Sequence, residues 1–236
     1  MFKTKTSQSA GLRFDGINDQ VVFGNIPTID LSKDNPYSVS FKIKGTTQLR
    51  FGNWFFDSNK SGWIIILTPT NLLFFIIGDL NTNDFVQVIL PITPLEYSQG
   101  FTALVTYDGI DRYTFRVNNS EVILNKVIVN PTISNEPFIV DIQSTFNGDI
   151  YNIKKYDREL TLAEFNDTKL GNYPTDYVFN LPFKEAQGFF TKDTVNKYVG
   201  TIINKSIGDV TIGVTNSWLY PNGQPFDSSK FSILKT

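Results

Sequence analysis

The chain has 236 residues, 41% apolar and 14% aromatic, with a formal net charge of −2. That length can bury a core without staples, and the near-neutral balance excludes the electrostatic footprint of a nucleic-acid or anionic-membrane binder. There is no cysteine and no histidine, which excludes disulfides, thiolate metal sites and nucleophilic triads of the Ser-His-Asp kind.

The 21 Phe and 10 Tyr favour half-buried pleated strands. Residues 1–11, MFKTKTSQSAG, lack the apolar stretch of a secretory signal, so export by that route is not expected. Residues 11–23 read as strand, polar turn and strand. Leu12 and Phe14 lead in, and Val21 and Phe23 lead out. Tyr37, Val39, Phe41 and Ile43 then alternate with Ser38, Ser40, Lys42 and Lys44, the pattern of a strand with one wet face.

Residues 49–56 and 63–67 read as a strand pair, and residues 72–77 and 85–90 as two more strands. Phe74-Phe75-Ile76-Ile77 lacks alternation, so both faces of that strand are expected to be covered. The apolar runs here are broken by Pro, Thr and Asn, short of the ~20 residues a membrane-spanning helix needs. Residues 91–100 read as a connector. Residues 101–124 predict an antiparallel meander. Phe101, Ala103, Val105 and Tyr107 share a face, Asp108-Gly109 turns, Tyr113, Phe115 and Val117 resume, and Asn118-Asn119 turns again.

Residues 148–166 begin as a strand and end in one or two helical turns, where Thr161 and Glu164 form a capping box. No other segment has a convincing helical period. Strand-like pieces return at residues 177–181, 198–203, 210–214 and 218–220. The seam at Gly171-Asn172-Tyr173-Pro174 is the one candidate boundary, and a second small β unit after Tyr173 is the rival to a single domain.

Three stretches, GLRFDGINDQVVFGN, FTALVTYDGIDRYTFRVNNSEV and GDIYNIKKYDRELTLAEFN, together resemble a laminin-G-like domain of the concanavalin A-like jelly-roll superfamily. A fourth, residues 178–213, resembles a segment that in many family members precedes the L-x-F-D-G strands. Here it follows the body. The resemblance therefore implies one domain over residues 1–236, with residues 172–236 packing back beside the N-terminal strands. Relatives with this order look like bacteriophage virion proteins.

Glycoside hydrolases on this fold resemble one another in an E-x-D-x-x-E strand, which sets two carboxylates about 5–5.5 Å apart. None of the Glu residues at 96, 121, 136, 159, 164 and 185 has Asp two positions on. That active site is absent, although another carboxylate pair could still be assembled in space. No cofactor is required, but the resemblance implies Ca²⁺ as the ion to consider. Asp15, Asn18 and Asp19 offer hard oxygens in one turn. The same residues equally suit the capping of a hairpin turn, and the family's metal-side Asp falls on Tyr151 here.

Trp54 lies in an aromatic, loop-rich stretch and is the candidate sugar platform, with core packing as its alternative. Trp63 is expected in the core. Lys154, Lys155 and Arg158 read as a solvated, pairing-resistant strand edge. The expected fold is all-β, two antiparallel sheets packed face to face as a jelly roll with one short helix. The expected function is a non-enzymatic, lectin-like virion component that is made in the host cytoplasm. Its partners would be other virion proteins, further copies of itself and a cell-surface glycan, with no nucleic acid and no membrane span. A stand-alone carbohydrate-binding module is the alternative, and a hydrolase or lyase a further one.

Overall fold

The computed structural model describes residues 11–16, 19–53, 61–79, 82–129, 134, 136–142, 145–183, 190–204 and 218–219. Its first half runs β1 (Gly11–Asp15), β2 (Asp19–Val22), β3 (Tyr37–Gly45), β4 (Leu49–Gly52), β5 (Ser61–Leu67), β6 (Leu72–Asp79), β7 (Asp84–Pro91) and α1 (Pro94–Gln99). Next come β8 (Phe101–Tyr107), β9 (Arg112–Val117), β10 (Ser120–Asn125), β11 (Ile139–Val140), β12 (Asn147–Tyr156) and α2 (Leu162–Lys169). The chain closes with β13 (Phe179–Leu181), β14 (Phe190–Lys192), β15 (Val199–Asn204) and β16 (Trp218–Leu219).

Among the described residues these strands form two eight-stranded sheets. The first is ordered β10-β9-β8-β3-β12-β1-β16, with β13 also paired to β12. The second is ordered β14-β15-β2-β11-β4-β5-β6-β7. Each pairing is antiparallel. Two antiparallel sheets laid face to face with these crossovers make a jelly-roll sandwich.

The alternating apolar positions explain the layering. Val39, Phe41 and Ile43 of β3 and Ala103, Val105 and Tyr107 of β8 face inward with Phe51, Trp63, Ile65, Phe75 and Ile77 of the second sheet. Phe41 and Phe51 meet edge to face across the sheets at 5.1 Å, and Phe51 and Trp63 meet edge to face within the second sheet at 6.2 Å. Full burial of each such ring contributes about 2–3 kcal/mol. The 74–77 run is expected to be covered on both faces, but burial alternates along β6 and the face of Phe74 and Ile76 is only partly covered. Phe75 and Ile77 sit in the main core, while Phe74 and Ile76 join Ile64, Ile66, Phe85 and Ile142 on the outer face.

The Asp108-Gly109 turn needs Gly109, which has φ +85°. Two late strands lie beside early ones, β15 on β2 and β16 on β1, while β13 pairs with β12. Gly200 allows the β15–β2 contact, because a Cβ there would stand 2.5 Å from the Phe23 ring. Asp193 accepts hydrogen bonds from the N–H groups of Asn180, Val195 and Asn196 and so fixes the β14–β15 turn.

Two further expectations are corrected. There are two short helices, not one. The unforeseen α1 starts on its own capping box, in which Thr93 accepts from the Glu96 N–H and Glu96 accepts from the Thr93 N–H. Pro94 occupies its first turn, where a missing N–H costs nothing. The flanking prolines and Gly100 hid it as a connector. Lys154 and Lys155 are not a solvated edge either, since both are buried.

Candidate functional site

A bulge in β12 builds the site. The register with β3 shifts between Ile150 and Asn152, so Ile150 and Ile153 both enter the core. Lys155 then lies opposite Val39, on the inner side of the sheet at its very end. There it borders a recess of about 280 Å³ together with Asp30, Ser32, Asn35, Pro36, Tyr37 and Asp157.

Three loops converge behind the recess. The 3-10 turn Pro27–Ile29 is pinned by the Trp63 indole N–H, which donates to the Ile29 carbonyl at 3.0 Å. Asn53, just past β4, donates to the Asp30 carboxylate at 2.6 Å. Ser134 donates its hydroxyl to the Asn53 carbonyl, and its N–H reaches Asp30. Asp30 is thus held by two loops that lie far from it in sequence.

Burial pushes the Asp30 carboxyl up to about 6, against the opposing pull of Ser134, Asn53 and the Lys155 charge. Lys155 spends its ammonium on Asp157 at 2.6 Å, and Asp157 is largely exposed at the rim. Tyr37 is fully buried in the wall, its hydroxyl has no protein partner, and burial raises its phenol well above the ordinary value. The recess therefore offers hydroxyl, amide, ammonium and carboxylate groups beside the apolar surface of Pro36 and Tyr37. That suits a small polyhydroxylated ligand better than an apolar cofactor.

A shallower recess of about 250 Å³ lies between the β9–β10 turn and α2. Its cations are already engaged: Arg116 pairs with Glu121, and Lys169 donates to the Asn118 carbonyl and the Asn119 amide oxygen.

Trp54, the foreseen sugar platform, lies outside the described residues. Its neighbour Asn53 belongs to the recess network. Of the foreseen calcium residues, Asn18 also lies outside the described residues. Asp15 ends β1 opposite Asn147, and Asp19 opens β2 as a buried residue. Among the described residues no group of three or more acidic side chains is placed to hold a metal ion. Trp63 is a core residue, as expected. Sequence reasoning missed Asp30, Asn35 and Asp157. The available signal was the polar run DLSKDNP at residues 30–36, which reads only as a loop.

No family model matches the chain, and no curated protein matches it by sequence. Solved structures do match. A candidate carbohydrate-binding protein from Bacteroides ovatus aligns with 86% of this chain at a TM-score of 0.59 and 12% identity. This chain spans 61% of the length of that protein. What the chain shares with it is a two-sheet jelly-roll sandwich. The heptameric pentraxin of Limulus polyphemus aligns with 82% of the chain, covering 95% of its own, at 0.53 and 14% identity. The carbohydrate-binding module of the Ruminococcus gnavus sialidase, solved with α2,3-sialyllactose, aligns with 69%, covering 98% of its own, at 0.50 and 13% identity. At these identities the likeness concerns the fold. Among the described residues no helix is long and apolar enough to cross a membrane.

Proposed function

We propose that this chain is a non-catalytic, lectin-like module that binds carbohydrate through the recess at Asp30, Asn35, Lys155 and Asp157. The observation that carries the reading is the recess itself: a small cup of hydrogen-bonding groups at the loop end of a sandwich whose structural neighbours include carbohydrate binders. Sugars are bound by such mixed sets of donors and acceptors. The narrower form of the reading is a bacteriophage virion protein that uses this cup for attachment to a host surface glycan. The order of the four motif-like stretches supports it, and copurification of the chain with particles tests it.

Two carboxylates, Asp30 and Asp157, share the recess, which is the observation in favour of a hydrolase. Their partners argue the other way. Asp30 is occupied by Asn53 and Ser134, and Asp157 by Lys155, so neither stands free to move a proton to a substrate. A glycan array with a parallel assay for new reducing ends separates the readings. Saturable binding without new ends supports the module. A blank array removes it, and new ends make the chain an enzyme.

A further inference from the structure

An exposed sheet edge presents unpaired backbone groups, and folded proteins usually blunt it. Among the described residues the first sheet ends at β10 and the second at β7, and the two edges lie side by side. The β7 edge is blunted. It ends in Pro91, the Lys126 ammonium caps the Phe85 carbonyl, and the Asp84 carboxylate accepts from the Val129 N–H. The opposite ends of the sheets carry only the short β14 and β16.

Among the described residues the β10 edge has no such protection. Its six residues, SEVILN, contain no proline and no lysine, and they pair with β9 in unbroken register. Its one charge, Glu121, is neutralised by Arg116 at 2.5 Å. The two-residue turn at Asn118 and Asn119 makes Val117 and Ser120 a hydrogen-bonded pair, so even-numbered residues bond to β9. The same parity continues to Lys126, whose N–H reaches the Asp111 carbonyl. Glu121, Ile123 and Asn125 therefore turn their N–H and C=O groups outward. Val122 and Leu124 pack toward the core, whereas the Ile123 side chain is 54% exposed.

We propose that β10 pairs antiparallel with the β10 of a second copy of this chain, about a two-fold axis through Ile123. Continuing both faces across the junction requires residues of the same parity to oppose one another. Centred on Ile123, the register sets Ile123 against Ile123, Val122 against Leu124 and Glu121 against Asn125. Centred on Glu121, it would set two carboxylates directly opposite, which is destabilising. Of the registers this parity allows, the one centred on Ile123 pairs all three outward-facing residues, Glu121, Ile123 and Asn125, within the strand and sets no like charges opposite.

The absence of cysteine makes the test clean, because Ile123→Cys carries the chain's sole thiol. Light scattering on the wild type is expected to give twice the chain mass at micromolar concentration. Ile123→Lys is expected to give the monomer mass with an unchanged β circular-dichroism spectrum. A short thiol cross-linker is expected to couple Ile123→Cys into dimers but not Leu170→Cys, which is exposed on α2's far end. Opposed Cα atoms about 5.5 Å apart are within its reach. A monomeric wild type overturns the proposal, even one that takes up a foreign extended peptide at this edge. So does a dimer indifferent to Ile123→Lys, or an Ile123→Cys variant that fails to couple.

Discussion

The outer faces of the two sheets are covered by different means. On the first sheet, Ser38, Ser40, Asn152, Lys154 and Tyr156 are buried. Residues 157–178 lie over them, with Tyr156 packed among Leu104, Leu160, Phe165 and Tyr177. Arg158 clamps this strap by donating to Glu164 at 2.7 and 3.0 Å and to Asp176 at 2.5 and 3.1 Å. Lys154 stands over the Tyr173 and Tyr177 rings at 4.8 and 4.4 Å and donates to Asn180. On the second sheet the cover is the sheet's own apolar side chains, Ile64, Ile66, Phe74, Ile76, Phe85 and Ile142. Polar strand residues can thus be dry when a distant segment supplies their partners, and apolar ones can lie near the surface by clustering.

The comparison is broken most directly by cutting one ring from each face. Tyr156→Ala is expected to cost about 3–5 kcal/mol, since the ring is fully enclosed beneath the strap. Phe74→Ala is expected to cost about 1–2 kcal/mol, because its ring is half-buried. Urea unfolding of the two variants measures both, and equal costs would mean that the strap adds no enclosure.

A smaller effect sharpens the role of the Arg158 clamp. Hydrogen bonds from Arg158 hold the Glu164 carboxyl down to about 2, below its ordinary 4.5. Its folded value lies below its unfolded one, so the clamp stabilises fully above pH 4.5 and is lost as pH falls toward 2. After discounting for solvent screening the contribution is about 1 kcal/mol. In unfolding curves from pH 2.5 to 6, Glu164→Gln should lack that part of the slope. An unchanged slope would remove the clamp from the account.

The smallest effect has the opposite sign and comes from the recess. Asp30 titrates near 6 when folded, above its ordinary 3.8. The folded state therefore holds an extra proton between about pH 4 and 6, and stability falls as pH rises through that window, then levels. Asp30 is only half-buried, so the screened effect is about 1 kcal/mol or less. The stability difference between Asp30→Asn and wild type should move in the variant's favour across pH 4 to 6. A flat difference would mean that Asp30 is not desolvated as described.

The strands were legible wherever one face was wet and the other dry. The β3, β8 and β9 alternation reads directly, as does the capping box of α2, because period and cap chemistry are local. The burial of Lys154 and Lys155 was not legible. It depends on a one-residue bulge and on Tyr173, Tyr177 and Asn180, which no local window contains. The recess was hidden for the same reason. Asp30, Asn53, Ser134 and Lys155 come together only after both sheets have formed, and each taken alone is an ordinary polar residue. The foreseen Trp54 was one residue away from that network, chosen for its ring and not for its position.

Calorimetric titration of an array-positive glycan into wild type and the Asn35→Ala, Asp157→Ala double variant tests the recess most directly. Two hydrogen bonds at about 1 kcal/mol each predict binding about 30-fold weaker in the variant, measured at a temperature where its own unfolding curve shows it folded. Equal affinities in the two proteins would place the sugar elsewhere and contradict the account.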